Sequence, residues 1–135
     1  MSDHYQGVIL HAGTPNETYT VYKHRSGKLP KQITPNRSLK EIRHSPDGFC
    51  WGYNGSGPAQ LALAILLDCC PRDIAVISHQ EFKTEVISKL NRYCNWTIGI
   101  EDIIVWTIAH KEPTVIETHA AITATMNDLF DPYRR

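Results

Sequence analysis

Apolar and polar positions divide the chain into an early part that alternates and a later part that repeats at helical spacing. Residues 5–11, YQGVILH, are rich in β-formers, and the turn residues Gly13, Pro15 and Asn16 follow them. Residues 18–24, TYTVYKH, place Tyr and Val between polar side chains and predict a second strand. Arg25 to Lys28, RSGK, is a tight turn. LPKQIT returns as a third strand, which Pro30 restricts to an edge or to its second half. A meander or hairpin sheet is the simplest arrangement.

The later periodicity is helical. Residues 36–48 read as a connection that ends in a type I turn at Ser45-Pro46-Asp47-Gly48. Pro58 to Cys70 predicts a helix with proline at its first position. Gln60 and Asp68 are its only polar residues, so most of its surface needs cover. One sheet covers one side, and a second helix or a second subunit covers the other. Ser78-His79-Gln80-Glu81 fits a capping box that starts a second helix, with Phe82, Val86, Ile87 and Leu90 as its apolar stripe. Asn95 to Ile98 is a short extended piece. Glu101 to His110 is a third helix that Pro113 ends, and Thr118 to Phe130 is a weakly striped fourth. The expectation is a single α+β domain over residues 1–135: an N-terminal antiparallel sheet followed by three or four helices.

Composition narrows the function. Lys and Arg total 14, as do Asp and Glu, so there is no basic excess to coat DNA or RNA. Cys50, Cys69, Cys70 and Cys94 form no CxxC pair, which suits reduced thiols better than a zinc site or a disulfide framework. No apolar run approaches the roughly 20 residues that span a bilayer, and MSDHYQG does not resemble a signal peptide. A soluble cytoplasmic protein is expected, self-associated through its apolar helix.

Candidate chemistry gathers around residues 48–60, GFCWGYNGSGPAQ. The seven histidines share no metal-binding spacing, so no metal is expected. Gly55-Ser56-Gly57 lacks the GxSxG spacing of a nucleophile elbow. Cys50 has only His44, six residues away, as a nearby base in sequence. Asn54-Gly55-Ser56-Gly57-Pro58 leads into a helix start, where unpaired N–H groups and the helix dipole favour an anion. The same glycines equally suit a tight turn. Phe49, Trp51 and Tyr53 share one side if the stretch is extended, as either a core layer or a stacking wall. Arg43 and His44 precede the turn. Lys83 and Arg92, read on the second helix, lie on different faces of it.

The run HSPDGFxWGYxGSGPAQLA at 44–62, with Gln80-x-Phe82-Lys83, Trp96-x-Ile98 and Tyr5-x-Gly7-Val8, resembles a small bacterial and phage domain family of unknown function. The resemblance covers residues 5 to about 110; the segment after Pro113 reads as an extension. Within that group the chain resembles the phage Thoeris anti-defence proteins of the first type. That resemblance implies a non-enzymatic sponge, with no catalytic residue and no cofactor. Such a sponge sequesters cyclic ADP-ribose signals, and in some members CBASS cyclic trinucleotides, as a dimer or hexamer. The residues are compatible with that function: Arg43, the Gly55–Gly57 loop and Lys83 are candidate phosphate groups, and Phe49, Trp51, Tyr53 and Phe82 are candidate stacking faces. Cys50 stands where such relatives usually carry an acidic residue, and Asn54 where glycine is common; an arginine held by that acid would here lose its partner. The alternatives are a hydrolase or transferase acting on such a nucleotide through Cys50 or His44, and a protein-interaction module.

Overall fold

Alternation along β1 (His4–Leu10) and β2 (Thr18–His24) turns Tyr5, Gly7, Val21 and Lys23 to one side of an antiparallel pair in which Tyr5 faces Lys23 and Gly7 faces Val21. The computed structural model describes residues 2–110. The chain divides into two compact units, Met1–Val105 and Trp106–Arg135. The helix expected over 118–130 lies outside the described residues.

The sheet has four antiparallel strands in the order β3 (Lys31–Ile33), β2, β1, β4 (Trp96–Gly99). As expected from Pro30, β3 is confined to Lys31–Ile33. The late extended piece, β4 (Trp96–Gly99), joins β1 on its other edge, pairing Gly7 with Trp96. The Trp96 indole lies flat against Gly7, where a Cβ would fall 2.2 Å from the ring. Only glycine leaves room for it.

Among the described residues four helices follow the first three strands, so the α+β expectation holds. The connection over 36–48 contains a short helix, α1 (Asn36–Glu41), that its polar sequence did not announce. The apolar helix α2 runs Ser56–Cys69 and starts two residues before the expected Pro58. Gly55 is its extended N-cap (φ −160°), and Pro58 sits in the first turn, where no intrahelical N–H bond is lost. Extended Cys70 before Pro71 ends it.

The second long helix, α3, spans Arg72–Glu85, so the capping-box reading at Ser78 is wrong. Ser78 is mid-helix and buried, because Ala75, Ser78, His79 and Phe82 form the i, i+3, i+4, i+7 stripe that packs inward. The stripe expected beyond Glu85 instead enters a 3₁₀ turn at Ile87–Lys89, with Ile87 buried. Helix α4 spans Ile100–Ala109. Among the described residues no helix is long and apolar enough to cross a membrane.

Every residue of α2 from Gly57 to Leu67 is buried by its own chain. Its apolar surface therefore gives no reason to invoke a second subunit. Gln60 and Asp68 both bond to other parts of the chain. Gln60, with no exposed surface, accepts from the backbone N–H groups of His44 (2.7 Å) and Ser45 (2.9 Å), and donates to Ser38 Oγ and the Ile42 carbonyl. It ties the 38–45 connection to the helix. Asp68 Oδ2 accepts from Tyr5 Oη (2.5 Å) and pairs with Lys23 Nζ (2.8 Å), tying the sheet to the helix. Burial pushes the Asp68 carboxyl up, but the bonds from Lys23 and Tyr5 outweigh it and hold it below its ordinary value. Burial, with the neighbouring Cys69 and Asp68, drives the Tyr5 hydroxyl far above its ordinary value, so it stays a donor.

Candidate functional site

The 48–57 segment is not one extended row. Gly52 adopts φ +84°, and its N–H donates to the Ile87 carbonyl (3.1 Å). A Cβ on Gly52 would fall 2.5 Å from the backbone N and Cα of Arg92. The left-handed residue breaks the alternation after Trp51, so exposed Tyr53 parts from buried Phe49 and Trp51. Trp51 is fully buried, edge-on to Trp96 (5.4 Å, 90°) and Tyr19 (5.0 Å, 81°), with Nε1 donating to the Cys94 carbonyl. It is core, and no face is open for a base. Phe82 is 1% exposed and also belongs to the core. Tyr53 is 41% exposed.

The glycines of the loop serve the Tyr53 ring. A Cβ on Gly55 would strike that ring at 2.5 Å, and one on Gly57 would meet Cys50 Cβ at 2.9 Å and Tyr53 Oη at 3.3 Å. Both have ordinary φ; what they provide is space. Asn54 and Ser56 are exposed at the loop tip, whereas Gly57 is buried, so its part of the helix start is covered by protein.

Arg92 is the centre of the arrangement. It lies in a turn after the 3₁₀ segment, not on the second helix as expected. Its guanidinium stands 5.1 Å from the Tyr53 ring centroid, 5.6 Å from Tyr19 and 6.0 Å from Tyr93. Nη1 donates to Cys50 Sγ at 2.7 Å, a bond that raises the guanidinium pKa further. The arginine contact that a cysteine at position 50 was expected to forfeit is therefore made to sulfur. Glu17 lies close enough to be lowered by Arg92, though the Gly13 N–H and the Tyr19 hydroxyl lower it more. Burial, then the bond to Glu17, raises Tyr19; burial, then Cys50, raises Tyr53.

Tyr19 also lines a groove of about 590 Å³, together with Glu17, Thr20, Tyr22, Asp47 and Phe49. That volume falls within the roughly 300–1,000 Å³ of small-molecule sites. The Thr20 hydroxyl is buried and has no hydrogen-bond partner among the described residues. Phe49 is thus the one buried aromatic of the motif with a wall on the groove.

A second group stands apart from Cys50. His44 Nε2 meets His79 Nε2 at 2.9 Å, and His79 Nδ1 meets the Val76 carbonyl at 2.8 Å. A carbonyl only accepts, so Nδ1 of His79 carries the proton; with both rings neutral, His44 donates. Burial, then His79 and Lys83, lowers the His44 pKa. Lys83 and His44 are therefore neighbours, while Arg43, next to His44 in sequence, is exposed. The imidazole partner of His44 is His79, and the Cys50 thiol is engaged by Arg92, so the Cys50–His44 pair is not formed.

The sequence reading singled out Arg92, Tyr53, Gly55, Gly57 and Phe49 in this region, and missed Tyr19, Tyr93, Glu17 and Thr20. Those four come from β2, its preceding turn and the 91–95 turn, and no local motif marks them. No curated protein and no solved structure matches the chain. A family model matches residues 13–109, spanning the motif loop, His44, Lys83 and Arg92. The chain belongs to the family of unknown function DUF6166.

Proposed function

We propose that this protein binds and sequesters a cyclic nucleotide signal of bacterial immunity without cleaving it, as a phage anti-defence sponge of the Thoeris type. The observation that carries the reading is Arg92, fixed against Cys50 Sγ among three tyrosines, one of which lines the groove. A cation held in place meets phosphate with little ordering cost. Tyr19, Tyr22 and Phe49 offer apolar and aromatic surface for a base, at about 1–3 kcal/mol per stacked base in single-strand binding proteins. Glu17, Asp47 and the Thr20 hydroxyl suit ribose hydroxyls. The sequence resemblance supplies the signal class, cyclic ADP-ribose isomers first and CBASS cyclic trinucleotides second. It also supplies the dimer or hexamer and the cytoplasm of the infected cell as the place of action.

A thermal-shift screen of these ligands tests the reading, followed by mass measurement of the ligand recovered from the denatured complex. A tight ligand raises the melting temperature and is recovered intact. A cleaved product overturns the sponge in favour of an enzyme. No shift with any cyclic nucleotide overturns it in favour of a protein-interaction module.

A further inference from the structure

A second cleft, of about 190 Å³, opens between β3, α1 and α2; it shares Gln32 with the groove, but neither Arg92 nor the residues around it line it. Its apolar wall is Ile33, Ala64 and Leu67, and Lys31, Arg37 and Asp68 supply its charge. Lys31 and Arg37 are exposed, and neither forms an ion pair among the described residues. Asp68 is already neutralised by Lys23 at 2.8 Å. Lys31 lies near enough to help lower Asp68 without forming an ion pair with it, and one carboxylate against Lys23, Lys31 and Arg37 leaves the cleft a positive balance. Both bonds to Asp68, from Tyr5 and from Lys23, fall on Oδ2. Oδ1 makes no bond among the described residues, so this carboxylate keeps acceptor capacity on an atom the Tyr5 and Lys23 bonds do not use.

We propose that this cleft binds a small phosphomonoester that also carries hydroxyl groups. The phosphate dianion lies between Lys31 and Arg37, where the guanidinium fork matches its oxygens. A ligand hydroxyl donates to Asp68 Oδ1. An anion alone leaves that carboxylate unused, and a polyol alone leaves both cations unused. The volume lies below the roughly 300 Å³ at which drug-sized sites begin, which limits the ligand to about the size of a sugar phosphate. This inference does not rest on the sponge reading.

The probe is ribose 5-phosphate, titrated into the full chain at low ionic strength and followed by amide resonances. Saturable shifts confined to residues 31–38 and 64–68 are expected. The K31A/R37A double variant, altered at two exposed positions, should lose at least about tenfold in affinity. The R92A variant should leave these shifts unchanged, which separates this site from the sponge site. Absence of saturation, or equal affinity in the double variant, overturns the site. Inorganic phosphate binding as tightly as ribose 5-phosphate overturns the role given to Asp68.

Discussion

Arg92 and Cys50, 42 residues apart in sequence, meet at 2.7 Å between guanidinium and sulfur. The thiol is a weak acceptor, so the bond positions the arginine more than it neutralises it. Replacing Cys50 by Ala frees Arg92 among its tyrosines and should weaken nucleotide binding about tenfold or less. The C50D variant restores a strong acceptor and should bind within a few-fold of the parent, because charge-assisted bonds are about twice as strong. Calorimetric titration with a cyclic ADP-ribose isomer separates the two. Removing the guanidinium itself, in R92A, should cost about 10–100-fold.

Gly52 and Gly55 should separate fold from site. G52A puts a Cβ into the Arg92 backbone at 2.5 Å and forces φ +84° on alanine. The left-handed conformation alone costs about 1–2 kcal/mol, so the melting temperature should fall by about 5–10 °C or more. G55A strikes only the ring of half-exposed Tyr53, which can swing outward. It should leave the melting temperature within about 2 °C while weakening ligand binding, since the ring leaves Arg92.

Gln60 is buried with four hydrogen bonds to the 38–45 connection. Q60A orphans two backbone N–H groups and should cost about 2–4 kcal/mol by urea unfolding. Q60E keeps an acceptor for His44 and Ser45 but turns an oxygen toward the Ile42 carbonyl, and should be destabilised as well.

Acid should destabilise the fold in two steps. His44 has a folded pKa below its ordinary 6.5, so the unfolded chain binds the proton first. Its contribution is complete above about pH 6.5 and is lost as pH falls toward the folded value. Asp68 is likewise lowered; its contribution is complete above about pH 4 and is lost below it. Denaturation midpoints measured between pH 8 and pH 3 should show both losses. H44Q should remove the upper one and Y5F should shrink the lower one. A pH-independent midpoint between 8 and 5.5 contradicts the lowered His44.

Much of the fold was legible because local rules and packing agreed. Val21 and Tyr5 alternate with polar neighbours, and Pro30 delimits its strand as expected. The misreadings share a cause. Ser78 and Glu81 have capping-box spacing, but α3 buries Ser78 on the face it presents to α2, and tertiary packing overrides the local signal. The aromatic row at 49–53 failed because one glycine, Gly52, took a positive φ that no pattern of apolar positions reports. Of the site, the loop and Arg92 could be read from sequence, but not Tyr19 and Tyr93. The Tyr19 ring reaches Arg92 only after β2 and the 91–95 turn have been brought together by the sheet and the buried Trp51, and Tyr93, next to Arg92 in that turn, carries no motif.

The Trp96 ring over Gly7 has a consequence for synthesis. Residues 4–7 leave the ribosome well before their β4 partner and the indole that covers Gly7, which follow about ninety residues later. At about 5–20 residues per second, that is a wait of seconds in which β1 presents an unpaired edge. The glycine gives a passing strand no side chain to grip, so the position that must stay bare for Trp96 is also a poor anchor for a wrong partner while the chain is incomplete.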